Sequence, residues 1–351
     1  MKKCCIAFLA CLLLTLPVQA SAIPRELERA LPEGAEAWMG EDVSPQGFSG
    51  AVASMVEKMA QAGKDILCSR LRGAAMVLLV SVLCGAVGSL AGENRFLPLA
   101  GCLAVTVLAA GSLEELIGLG ARTIGELNHF ASVLLPLLAA ASAVAGSAVT
   151  ASMQQVTAVF LVGLATSFIN GLLLPLTYLY IGVLAAGHSL QEPRLTAIAE
   201  GVKKAVTWTL TTALLLFTIY LSVSRVLSGA ADAAAVKVTK AAISGAVPVV
   251  GGIISDAAES ILAGAGVVKG TIGAFGILAV LGACAVPFLH LGIQYLLYKA
   301  AAFLSAAMGV PWLSKLIEGL GGAFGLVLGM TGSCAMLVMV AVLCFLGAVS
   351  V

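Results

Sequence analysis

The residues able to carry chemistry are few in this chain, and they do not converge. His129, His188 and His290 stand far apart, with no carboxylate at catalytic spacing beside any of them. There is no HExxH, no P-loop, no GxSxG, and no GxGxxG opening a helix after a strand. Nine cysteines form no CxxC and no Cys/His cluster, so neither a metal site nor a disulfide framework is expected. Cys4, Cys5 and Cys11 fall in a leader. Cys68, Cys84, Cys102, Cys284, Cys334 and Cys344 read as small, mostly apolar-run residues of helices. What remains is a set of ionisable groups beside long apolar runs. Asp256 and Glu259 stand at i,i+3 on one helical face, Lys269 precedes the next apolar run, and Lys299 closes it. Ionisable groups close to a membrane are the default functional candidates. The plainer alternative for Asp256, Glu259 and Lys269 is an interfacial hairpin with a surface ion pair. No enzyme activity, cofactor or metal is expected.

The elements that must position these groups are apolar. The chain has 351 residues, 60% hydrophobic and 11% charged, with net charge +1 and mean hydropathy +1.07. No nucleic-acid footprint is visible in that balance. From Phe130 to Gln191 there is no Asp, Glu, Lys or Arg, and no globular surface can be made from such a run. A hydrocarbon crossing takes about 20 apolar residues, so the run holds two crossings with a break, or three tight ones. Its Ala/Leu/Val/Gly composition fits helices, which satisfy their own backbone in lipid. The expected fold is therefore all-α: a polytopic helical membrane protein of about six to eight crossings.

Taken in order, residues 1–22 have the three parts of a cleavable signal peptide, with Ala20-Ser21-Ala22 at the cleavage point. Residues 23–72 read as an extracytoplasmic acidic tail followed by an amphipathic pre-membrane helix. The tail, with Pro24, Pro32 and Pro45, is expected to be a solvated spacer. The polytopic domain is then 73–351. Ala74–Ala91 and Phe96–Leu113 are the first two crossings, with Ser81, Gly85 and Ser89 forming a small-residue face. Glu114–His129 reads as a polar connector. Splitting the charge-free run into three crossings places Ser189–Lys204 in the cytoplasm, as Arg194, Lys203 and Lys204 prefer. Ala205–Val223 is a clean crossing whose threonines bond back to the preceding turn or line a wet face. Ala241–Ser255, centred on Pro248 with Gly251 and Gly252, is short and fits a re-entrant or broken segment. Gly270–Tyr298 is interrupted at Pro287. In the last run Gly321, Gly325, Gly329 and Ser333 lie four apart, a helix-packing face.

A shift of 112 residues puts Pro136 on Pro248 and Pro175 on Pro287, and six more residues put Pro193 on Pro311. Two structural repeats, 124–227 and 236–349, follow as an expectation. Pro136, Pro175, Pro248 and Pro287 would then be paired helix breaks, the usual pointer to a path through a transport fold.

Leu135-Pro136-Leu137-Leu138 with Gly146-Ser147-Ala148-Val149, and then Pro248-Val249-Val250-Gly251-Gly252, Ser255-Asp256-Ala257, Val268-Lys269, Gly273-x-Phe275-Gly276, Pro287 and Tyr298-Lys299-Ala300-Ala301, resemble the signatures of the stage III sporulation protein AE family of spore-forming Firmicutes. The resemblance implies a multi-pass protein of the mother-cell membrane around the forespore. It implies as partners the other subunits of the stage III sporulation A-operon complex and a forespore protein reaching across the intermembrane space. Together these form a transenvelope channel, or feeding tube, that sustains forespore development and late forespore gene expression. The family carries no catalytic residues over. Assembly as a homo-oligomer or hetero-complex in the lipid bilayer is expected. Two other readings stand beside this one: a secondary transporter with inverted repeats, and a non-conducting scaffold for the other subunits.

Overall fold

The computed structural model describes residues 23–39, 47–91, 96–145, 148–246 and 251–346, with side chains omitted at 91, 148–150, 221–246 and 251–263. The expected signal peptide and Pro248 lie outside the described residues. Among them there is no strand. Two short helices, α1 (Arg25–Arg29) and α2 (Ala35–Trp38), precede five helices of 36 to 57 residues and one jointed rod. These are α3 (Phe48–Ala91), α4 (Phe96–Val144), α5 (Ala148–Phe168) joined through a π-helical turn (Ile169–Leu173) to α6 (Leu174–Ser189), α7 (Pro193–Ala246), α8 (Gly251–Ala307) and α9 (Pro311–Leu346). Six of the helical stretches are long and apolar enough to cross a bilayer, the rod α5–α6 counting as one. This is a multi-pass helical membrane protein.

The segmentation departs from the hydropathy reading in four places. The charge-free run occupies two helices, the end of α4 and the α5–α6 rod, which is the alternative of two crossings with a break and not the three-crossing split that places Ser189–Lys204 in the cytoplasm. The Glu114–His129 connector is the middle of α4. The pre-membrane helix and the first crossing are one helix, α3. Pro136 and Pro287 lie inside continuous helices. A proline removes one hydrogen bond and crowds the preceding turn, yet neighbouring helices hold the two halves in line. Pro175 starts α6 just after the π-helical turn, whose wider spacing absorbs the same clash. Gly251 and Gly252 are the first residues of α8.

The acidic tail is not a free spacer. Leu27 and Ala35 are fully buried, α1 against α4 and α2 against α8. Lys58 Nζ donates to the Ala37 carbonyl at 3.0 Å. Gly282 makes the docking of α2 feasible, since a Cβ there would stand 2.8 Å from the Ala35 carbonyl oxygen.

Helices α8 and α9 form the centre, antiparallel, with Tyr298 edge-on to Phe324 at 5.2 Å. The expected packing row on α9 is used on two sides. Gly321 and Gly325 admit Tyr298 and Tyr295 of α8, Gly329 meets Leu210 of α7, and Ser333 bonds back to the Gly329 carbonyl. Around this pair run α3, parallel to α8 (Gly63 on Leu289, Ser305 Oγ donating to Ser81 Oγ at 2.8 Å, Gly85 on Val310), and α4, parallel to α9 (Gly101 on Trp312, Gly120 on Val327). The α6 end of the rod packs on α9 through Leu184 at Gly319, and α7 through Lys203 at Gly322.

The turns α6–α7 and α8–α9 are built alike. In the first, Leu190, Gln191 and Glu192 N–H donate to the carbonyls of Ala186, His188 and Gly187. In the second, Met308, Gly309 and Val310 donate to Leu304, Ala306 and Ser305. The left-handed residue is Gln191 (φ 53°) in one and Gly309 (φ 80°) in the other, each two places before a proline that opens the next helix. Both are Schellman-type C-caps followed by Pro at the first helical position.

Candidate functional site

These contacts fix which residues share a depth along the bundle. Gly63 touches Leu289, its neighbour Phe288 touches Gly332, Gly120 reaches Val327 and Thr331, and Leu210 touches Gly329. One level therefore holds Lys64 of α3, Arg122 of α4, residues 327–332 of α9 and Leu210 of α7. On the α7 side of that level the outward residues are apolar: Leu215 and Leu216 are 55% and 61% exposed, and Phe160 and Leu164 of α5 are open as well. On the α3–α4 side Lys64, Asp65 and Arg122 stand exposed at that level, with Glu57, Lys58, Glu114 and Glu115 exposed up to about 12 Å to either side along the axis and the apolar Val56 and Leu67 open among them.

Within this charged side one node ties three helices. Arg70 donates twice to Glu115, at 2.6 and 3.0 Å, in the fork geometry that suits a carboxylate. The same guanidinium lies 3.2 Å from His290 Nδ1 on α8. Because Arg has only donors, Nδ1 is the acceptor and the imidazole is neutral, with its proton on Nε2. The hydropathy reading missed Arg70 and Glu115. Their signal in the sequence is two like-sized charges flanking apolar runs on consecutive helices, which marks them for pairing only once α3 and α4 are known to be antiparallel.

A second polar region sits toward the α6–α7 and α8–α9 turns. A cleft of about 1100 Å³ opens between α6, α7 and the start of α9, lined among others by Lys203, Lys204, Trp208, Trp312, Lys315 and Glu318. Lys299 donates to Glu318 at 2.7 Å and stands 5.9 Å from the Tyr295 ring centre. Tyr180 donates its hydroxyl proton to the Gly319 carbonyl at 2.8 Å. Lys203 lies along the gap left at Gly322, where a Cβ would stand 2.9 Å from its Nζ.

The sequence-derived candidates are thus dispersed. Lys299 belongs to this cleft's edge. Lys269 is 2% exposed, one turn beyond the Gly273–Leu346 contact at the opposite end of α9. Asp256 and Glu259 fall on the backbone of α8 a further ten or more residues away, about 15 Å along the axis, and their side chains lie outside the described residues. The threonines of α7 take the plainer role: Thr207, Thr211 and Thr218 each donate to the carbonyl four residues back. Among the described residues no group of His, Cys, Asp and Glu has the arrangement of a metal site.

The family described as stage III sporulation protein AE matches residues 51–349. A stage III sporulation protein AE of Bacillus subtilis (strain 168) is 23% identical over 207 residues, covering 59% of this chain and 52% of that protein. The match spans about half the length of that relative. No solved structure matches the chain.

Proposed function

The chain belongs to the stage III sporulation protein AE family, and from that premise we propose that it is a membrane-embedded subunit of the transenvelope channel between mother cell and forespore. It would sit in the mother-cell membrane around the forespore, made with a signal peptide (1–22) and assembled with the other subunits of the A-operon complex and their forespore partner. The observation that carries the channel reading is the two-sided bundle. At one depth, α5 and α7 offer apolar side chains to lipid, while α3 and α4 offer Lys64, Asp65 and Arg122. A charged side chain at the bilayer centre costs about 2.5–3.5 kcal/mol on insertion scales. Several on one face exceed what a lone chain tolerates, so that face is turned to water or to protein. An aqueous lumen shared by several subunits supplies both.

The paired turns at Gln191 and Gly309 support the two-repeat reading of 124–227 and 236–349, which a secondary transporter also accommodates. Cysteine scanning separates the cases. In a Cys68→Ser background, cysteines placed at Arg122 and at Leu216 are treated with a membrane-impermeant maleimide in sporulating cells. Labelling at position 122 with protection at 216 is expected. Equal protection at both positions would remove the lumen, and co-purification with no partner protein would favour the transporter.

A further inference from the structure

We propose that the cleft between α6, α7 and α9 is a binding site for the phosphate headgroup of an anionic phospholipid. Lys203, Lys204 and Lys315 line it and make no side-chain hydrogen bond or ion pair among the described residues. Glu318 is already engaged by Lys299. Counted with Lys299 and Glu318, four ammonium groups at the cleft face Glu192, Glu200 and Glu318, so one positive charge is left over. A monoanionic phosphodiester matches that excess, and a zwitterionic headgroup leaves it unmatched.

Position argues for a lipid over a soluble phosphate. The lysines stand where the apolar belt begins: the next residues along the same α7 face are Thr207 and Trp208, the latter 70% exposed, as an interfacial aromatic would be. Farther along the Trp208 face of α7, Leu215 and Ile219 are apolar and open to the outside. Charged head and apolar seam follow one another along a single helix. A bare phosphate would use the first and leave the second and the indole walls without purpose. The inference rests on the multi-pass character of the chain and not on its place in a channel, so loss of the partner proteins leaves it intact.

The test uses the full chain in detergent, titrated with phosphatidylglycerol or phosphatidylcholine carrying brominated acyl chains, which quench nearby tryptophan. Tighter quenching by phosphatidylglycerol is expected. Lys204→Gln with Lys315→Gln, which spares the packed Lys203, is expected to weaken it about thirtyfold, roughly fivefold for each basic side chain at an anionic surface. Lys64→Gln on α3 should change nothing. Should circular dichroism find the double variant unfolded, each single variant is read for its fivefold loss. Equal affinity for the two lipids, or variants that bind as the parent does, would overturn the assignment. Displacement of the lipid by glycerol 3-phosphate or inorganic phosphate at comparable affinity would overturn the lipid in favour of a soluble phosphate.

Discussion

Gln191 holds a left-handed backbone conformation that its counterpart in the α8–α9 turn assigns to Gly309. An L-residue with a side chain meets its own carbonyl there, at a cost of about 1 kcal/mol. Gln191→Gly is therefore expected to raise the thermal midpoint in detergent by an amount equivalent to up to about 1 kcal/mol, offset partly by the freer unfolded chain. An unchanged or lower midpoint would mean that the Gln191 side chain contributes more than its backbone costs. The Arg70–Glu115 pair poses the complementary case. Removing one partner strands the other charge, whereas removing both does not. Arg70 is 15% exposed and Glu115 58%, so the penalty is that of a half-solvated pair. Glu115→Leu alone should cost about 1 kcal/mol, and Arg70→Met added to it should restore part of the loss. A double variant no better than the sum of the singles would show that the two side chains are not coupled.

Along α4 the limits of sequence reading have a physical origin. A hydropathy window stops at Glu114 because charge accumulates there, yet helix continuity is decided by the buried stripe, not by mean polarity. That stripe runs unbroken through the charged stretch: Leu113, Leu116 and Ile117, Gly120, Thr123 and Ile124, Leu127, then Phe130 and Ala131. It recurs at three and four residues, the helical period, and was legible in the sequence as a single helix. The α9 row of Gly321, Gly325, Gly329 and Ser333 was legible for the same reason. Tight glycines at 101, 120, 276 and 319 were not, because nothing local tells which helix will approach them. Gly282 is a fifth such glycine and the sharpest case. Its missing Cβ leaves room for backbone, the Ala35 carbonyl, which cannot swing aside as a leucine tip can. Gly282→Ala should leave the long helices intact and lift α1–α2 from the bundle, at about 1–3 kcal/mol of overpacking. Limited proteolysis should then cut within 23–39 while the remainder resists; a protected segment would place the contact elsewhere.

For the whole molecule, depth is the quantity that sequence alone does not carry. The apolar half of α3 and the start of α4 pack beside Ser305, Val310 and Trp312, level with the polar cleft rather than with the lipid-facing parts of α5 and α7. Leu79, Leu83, Leu90, Phe96, Leu103 and Val107 are exposed on that hairpin. The apolar surface of the bundle is therefore staggered, high on the α3–α4 side and low on the α5–α7 side. A flat hydrocarbon layer about 30 Å thick that covers one leaves the other in the headgroups or in water. Exposed apolar patches of that kind mark contact with another protein. Leu83→Ser with Val107→Ser should accordingly leave the single chain's thermal midpoint within about 0.5 kcal/mol of the parent, as surface substitutions do, and should abolish co-purification of its membrane partners from sporulating cells. Retained co-purification would mean the hairpin is wetted by lipid, and that the bilayer bends or thins to meet both belts.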